Sequence, residues 1–199
     1  MNEQLRRPSL PLTSQAAEGL PRRRWSVAEI EAMVTAGILE ENERFELIGG
    51  EVVPMNPKGI GHERLKVALA RYWIRRLPDH FQLAQETTFR INEDTFVEPD
   101  FIFYSTATGL AGLKPETALL AIEVADSSLA YDLGRKARLY ATFGVRELWV
   151  INATTLATRI HRTPGLEGYT DIRDAEPGDR LAPAFCDELA LTLATLTLV

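Results

Sequence analysis

One cysteine in 199 residues, Cys186, leaves the chain without a partner for an intrachain disulfide. Only three histidines stand beside it, too few with one thiol to read as a Cys/His zinc cluster. A lone cysteine suits a reducing compartment, and its ordinary role is that of a small core residue. No segment approaches the roughly 18 consecutive apolar residues of a membrane span. The start, "MNEQLRRPSLPLTSQAAEGLPRRRW", lacks the apolar stretch of a signal peptide, so the expected location is cytoplasmic. Positive charge is also in short supply: 22 Lys and Arg against 28 Asp and Glu give a net charge of −6. Any contact with nucleic acid must therefore come from a local basic patch. Internal repeats and low-complexity blocks are absent.

What remains is an ordinary globular composition, 45% hydrophobic and 25% charged, at a length that supports a sizeable core. Residues 1–24 are rich in Pro, Ser and Arg without periodicity and read as a mobile tail; residues 25–199 read as a single domain. Order begins at "WSVAEI", where Ser26 and Glu29 form a capping box and Trp25 and Ile30 are spaced for a hydrophobic staple. The helix this starts ends near Gly37. In "RFELIGGEVVPM" two apolar runs flank Gly49-Gly50, the signature of a two-residue hairpin turn. From His62 to about Leu77 the apolar positions follow helical spacing. Strand candidates then follow in "FQLAQETTFRI", "FVEPDFIFY" and "TALLAIEVA", with a helix from about Tyr131 to Phe143 and strands in "ELWVIN" and "TLATRIHR". "GYTDIRD" and "FCDELALTLATLTL" alternate enough to suggest further strands. The order implies an α/β fold with a central mixed sheet flanked by helices.

Two strands each carry one acid. Asp100 lies in "VEPDFIFY" with apolar neighbours on both faces, and Glu123 is the sole polar side chain of "LLAIEVA". A buried unpaired carboxylate costs several kcal/mol, and two side by side repel, so a cation must compensate. In "SLAYDLGRKARLYATFG" the apolar stripe runs Leu129, Leu133, Tyr140, Phe143, and its missing turn is filled by Lys136. Lys136 therefore points inward, while Arg135 and Arg138 diverge by about 100° and 200° around the axis. Two carboxylates to hold Mg²⁺ and an ammonium to stabilise developing negative charge are what phosphodiester hydrolysis uses. A salt bridge, a strand-end cap and a lysine snorkelling past the core edge are the structural alternatives.

These residues resemble the PD-(D/E)xK nuclease superfamily, and more closely its Uma family of endonucleases. The resemblance is carried by "FELIGGEVV", the helix from His62, "VEPDFIFY", "AIEVADSS" and "YDLGRKARLYATFGVRELWVIN", and covers roughly residues 26–195. It implies a restriction-endonuclease-like fold and a Mg²⁺-dependent (or Mn²⁺-dependent) endonuclease acting on DNA. In that reading Asp100 and Glu123 ligate the metal with the backbone carbonyl of Val124. The superfamily's lysine normally lies two residues after the second acid, where this chain has Ala125; Lys136 on the following helix replaces it, as is usual in the Uma family.

The hairpin adds a further acid. With Gly49-Gly50 as the turn, Glu46 and Glu51 share one face, and Glu46 is the preferred counterpart of the superfamily's N-terminal acid, with Glu51 behind it. His62 is expected to contact phosphate or a carboxylate, and Gln85 to orient water. Arg64, Lys66, Arg71, Arg75 and Arg76 form a basic helix face suited to a phosphate backbone. Analogy with two-strand cutters suggests a homodimer. The competing reading is a non-catalytic nucleic-acid or protein-binding module that retains the fold.

Overall fold

The computed structural model describes residues 23–40 and 43–198. Of the tail expected over residues 1–24, residues 1–22 lie outside the described residues. Arg23 and Arg24 are placed: the Arg23 guanidinium sits 3.9 Å over the Trp25 ring and pairs with Glu29. Helix α1 (Val27–Thr35) starts with the expected capping box at Ser26 and Glu29. Strands β1 (Phe45–Ile48) and β2 (Glu51–Pro54) form the hairpin, in the register that sets Ile48 opposite Glu51 and Glu46 opposite Val53. Gly49 and Gly50 take φ of +58° and +78°, the double left-handed turn that glycine permits.

Helix α2 (Ile60–Ile74) starts two residues earlier and ends three residues sooner than its periodicity suggests. After it come β3 (Phe81–Gln85), β4 (Phe89–Asn92), β5 (Thr95–Val97), β6 (Phe101–Ser105) and β7 (Ala118–Ala125). A helical stretch follows: α3 (Leu129–Tyr131), a π-turn over Asp132–Lys136, and α4 (Ala137–Thr142). Strands β8 (Glu147–Asn152), β9 (Thr158–Gly165) and β10 (Gly168–Ala175) complete the sheet elements. The large sheet has the order β10-β9-β8-β7-β6-β3, and a smaller one the order β2-β1-β5-β4. Among the described residues only β7 and β8 pair in parallel; every other neighbour pair is antiparallel, so the large sheet is mixed.

Both faces of the large sheet are covered. On one, Leu65, Leu69 and Trp73 of α2 pack against Phe101, Phe103 and Ile122, with Leu181, Leu189, Leu191 and Leu193 from the C-terminal segment closing the layer. On the other, Tyr140 and Ala141 of α4 meet Ile102, Ala121 and Val150, together with Ile48, Phe89 and Val97 of the small sheet.

Three expected strands are corrected. "FQLAQETTFRI" divides at Glu86, whose φ of +45° turns the chain, and its halves enter different sheets. "FVEPDFIFY" divides at Glu98-Pro99-Asp100, because Pro99 has no N–H to give a ladder. "FCDELALTLATLTL" forms 3₁₀ turns at Asp187–Leu189 and Leu193–Thr195, with one bridge between Leu181 and Leu191. Its alternating leucines do face the core, but its carbonyls are taken by α2: Trp73 Nε1 donates to Leu189 O at 3.1 Å.

Candidate active site

Alternation along β7 turns Ile122 and Val124 toward α2 and Glu123 toward α4, where the helix presents Lys136 and Tyr140. Asp100 sits at the Pro-Asp break just before β6, beside the C-terminal end of β7: its Oδ2 accepts the backbone N–H of Val124 at 2.8 Å. Glu46 reaches the same place from β1. All three acids are buried, and all line one cleft with Lys136.

Lys136 Nζ lies between two carboxylates, 2.7 Å from Glu46 Oε1 and 3.0 Å from Glu123 Oε1. Glu46 Oε1 also accepts the Glu98 N–H at 3.1 Å, and Glu123 Oε1 the Tyr140 hydroxyl at 2.7 Å. Burial opposes the charge on Lys136, but the carboxylates around it outweigh that, and its pKa lies well above the ordinary value. Glu123 is raised to about 8, because burial and the charges of Asp132, Asp100 and Glu46 together outweigh Lys136. Burial pushes Asp100 up as well, yet a hydrogen bond from His62 and the Lys58 charge hold it down at about 2.

The sequence-expected residues divide cleanly. Asp100, Glu123, Lys136 and Glu46 converge, and Val124 lines the cleft beside them. Glu51 is exposed, which leaves Glu46 as the hairpin's inward acid. His62, at the α2 N-terminus, sets Nε2 3.1 Å from Asp100 Oδ1, so it contacts a carboxylate. Arg64 is exposed and about 200° around the α2 axis from His62, which turns it away from the cleft. Gln85 is exposed too; it pairs with Phe101 in register, so its side chain projects on the α2 face, opposite the acids. Lys66 is not part of an exposed basic face: it is buried, 2.9 Å from Glu63 and 3.0 Å from Glu86.

Three residues escaped the sequence reading. Asp132 is buried in the cleft, four residues before Lys136; burial is the first cause of its raised pKa, and Ser128 donates to its Oδ2 at 2.6 Å. In a regular helix, steps of four residues drift by about 40° each, so Asp132, Lys136 and Tyr140 would fan over about 80°. The π-turn inserts slack between the first two and keeps all three inward. That i, i+4, i+8 polar series was the available signal. Lys58, on the loop before α2, places Nζ 2.8 Å from Asp100 Oδ1; nothing in its local pattern announces this. Tyr131 also lines the cleft, with a buried hydroxyl that meets no hydrogen-bond partner among the described residues.

Six acids line the cleft (Glu46, Glu98, Asp100, Glu123, Asp126 and Asp132) against the two lysines Lys58 and Lys136, so positive charge is in deficit even while Glu123 holds its proton. An all-oxygen donor set with that deficit fits a hard divalent cation. Among the described residues no three Asp, Glu, His or Cys side chains close around one point.

A mixed sheet between helices, with acids brought to one cleft from β1, from the break before β6 and from β7, and a lysine delivered from the helical stretch after β7, defines a nuclease-like α/β protein. The family profile described as "Uma2: Putative restriction endonuclease" matches residues 27–194, and the chain belongs to that family. Among solved structures, a "putative nuclease belonging to DUF820" from Anabaena variabilis ATCC 29413 superposes with a TM-score of 0.62 at 15% identity. The match covers 80% of this chain and 93% of that one, and the shared fold is restriction-endonuclease-like. No curated protein matches the chain. Among the described residues no helix is long and apolar enough to cross a membrane.

Proposed function

We propose that this protein is a Mg²⁺-dependent endonuclease, Mn²⁺ substituting, that hydrolyses DNA phosphodiester bonds. The observation that supports it best is the Lys136 ammonium seated between Glu46 and Glu123, with Asp100 across the same cleft. Asp100, Glu123 and the carbonyl of Val124 would hold the ion. When bound, the ion polarises the phosphate and lowers the pKa of a water at its side. Lys136 stabilises the charge that develops on the phosphoryl oxygens. Glu46 fixes the lysine, and His62 and the Val124 N–H fix Asp100, so little reorganisation accompanies the reaction. The single cysteine suits a cytoplasmic setting.

The experiment is calorimetric titration with MgCl₂, followed by incubation with supercoiled plasmid and with single-stranded DNA, with and without EDTA. Cleavage that needs Mg²⁺ and stops with EDTA is expected. Metal binding without cleavage of any substrate would favour a non-catalytic binding module. We propose a homodimer, since cutting two strands uses two sites; light scattering should give about twice 22.2 kDa, and the monomer mass would count against it.

A further inference from the structure

The cleft contains a second lysine that the reaction outlined above does not use. Lys58 lies on the loop between β2 and α2, and its Nζ contacts Asp100 Oδ1 at 2.8 Å and Glu86 as well. Its side chain is 13% exposed, against 5% for Lys136. The two lysines also differ in mounting. Lys136 projects from a helical segment against two buried acids, whereas Lys58 hangs from an irregular loop over residues 55–59.

Asp100 is the acid on which the competition falls. Its Oδ2 is taken by the Val124 N–H, and His62 Nε2 lies 3.1–3.2 Å from both oxygens, so Oδ1 is the oxygen turned to the cleft, and Lys58 sits on it. Glu86 gives Lys58 a second place to rest. It stands at φ +45°, a strained setting for a residue with a side chain, and there its carboxylate meets Lys58, Lys66 and Arg44 together. Burial pushes the Glu86 pKa up, but the two lysines outweigh it and hold it at about 2, so it remains a carboxylate throughout the neutral range.

We propose that Lys58 is a displaceable cation: it neutralises Asp100 in the metal-free protein, yields Oδ1 when a divalent ion binds, and, still tethered by Glu86, turns its ammonium to the phosphate of the nucleic-acid substrate. This rests on the metal-dependent reading above. An ammonium on Asp100 and a divalent ion on Asp100 exclude each other by charge and by space, so removing the first strengthens the second.

The test uses the full chain with Lys58→Met, which keeps the length of the stem, and Lys58→Gln as a second variant. Isothermal titration with MgCl₂ should show about tenfold tighter binding in both variants. The rise in thermal midpoint on adding MgCl₂ should be larger than in wild type, because the variants begin with an uncompensated Asp100. In cleavage assays KM for DNA should rise several-fold while kcat changes less. Metal affinity equal to or weaker than wild type in a folded variant overturns the proposal while leaving the metal-dependent reading intact. Tighter metal binding with an unchanged KM overturns the phosphate contact. Absence of Mg²⁺ binding in wild type and variants alike overturns both readings together.

Discussion

Lys136 carries two carboxylates at once, so its removal has two separable consequences. If it stabilises charge in the transition state, Lys136→Ala should leave Mg²⁺ affinity unchanged or slightly higher, yet slow cleavage about a hundredfold, or roughly 2.7 kcal/mol. It also strands Glu46 and Glu123 in a buried site, and breaking such a pair costs on the order of 3–5 kcal/mol of stability. Activity must therefore be compared in protein shown by circular dichroism to be folded. Asp100→Asn should lose metal and cleavage together, and undiminished cleavage by folded Lys136→Ala would sink the role given to the lysine. Glu123 adds a pH signature. Its pKa is 4.5 ordinarily and about 8 in the fold, so between those values the folded protein holds a proton that the unfolded chain releases. Stability in EDTA should fall as pH rises through that window. Asp100 acts in the opposite direction: its contribution is present above 3.8 and fades as pH drops toward 2. Thermal midpoints between pH 5 and 9 check the first, and Glu123→Gln should flatten the slope; a wild-type midpoint that rises over this range would contradict it.

The hairpin of β1 and β2 decides which acid faces the cleft, because a slip of one residue would turn Glu46 outward. Its turn is the control point. Gly50 stands at φ +78°, and a Cβ there would lie 2.6 Å from Cβ of Arg24 and 2.9 Å from the Trp25 nitrogen. Gly50→Ala should cost about 1–3 kcal/mol, some 2–12 °C in thermal midpoint for a chain of this size. At Gly49, φ is +58° with open space around it, so Gly49→Asn should be nearly neutral. Equal losses at both positions would show that the close approach at Gly50 is irrelevant. This element was fully legible in the sequence, since two glycines between alternating runs specify both turn and register. So was the inward direction of Lys136, read from a gap in an apolar stripe. The direction of Gln85 was not legible, because it is set by its pairing with Phe101 of β6, a register that "FQLAQETTFRI" does not display. Lys58 was illegible for a different reason: its partner is 42 residues away, and a loop residue has no periodicity that points anywhere.

Across the whole molecule, a further buried carboxylate on the same sheet is engaged in structure and not in the cleft. Leu148 pairs with Ala121, which sets Glu147 level with Leu120, three residues before Glu123 on β7. Glu147 is 1% exposed and fully engaged: Oε1 accepts from Trp149 Nε1 at 2.7 Å and from Arg162 Nε and Nη2 at 2.9 and 2.7 Å, while Oε2 accepts from the Ala184 N–H at 2.7 Å. Arg162 also donates to Ala182 O at 2.8 Å. One carboxylate thus binds β8, β9 and the C-terminal segment whose leucines cover α2, the layer from which His62 reaches the cleft. Glu147→Ala should leave the indole and the Ala184 amide without acceptors, at about 1–3 kcal/mol each. A loss of roughly 3 kcal/mol corresponds to about 6–12 °C in thermal midpoint. Glu147→Gln keeps an acceptor oxygen and should fall between wild type and alanine. Mg²⁺ affinity, titrated well below the lowered midpoint, should match wild type in both variants, because no bond of Glu147 touches an acid of the cleft. A parallel loss of metal affinity and stability would mean instead that the C-terminal segment positions α2, and through His62 positions Asp100.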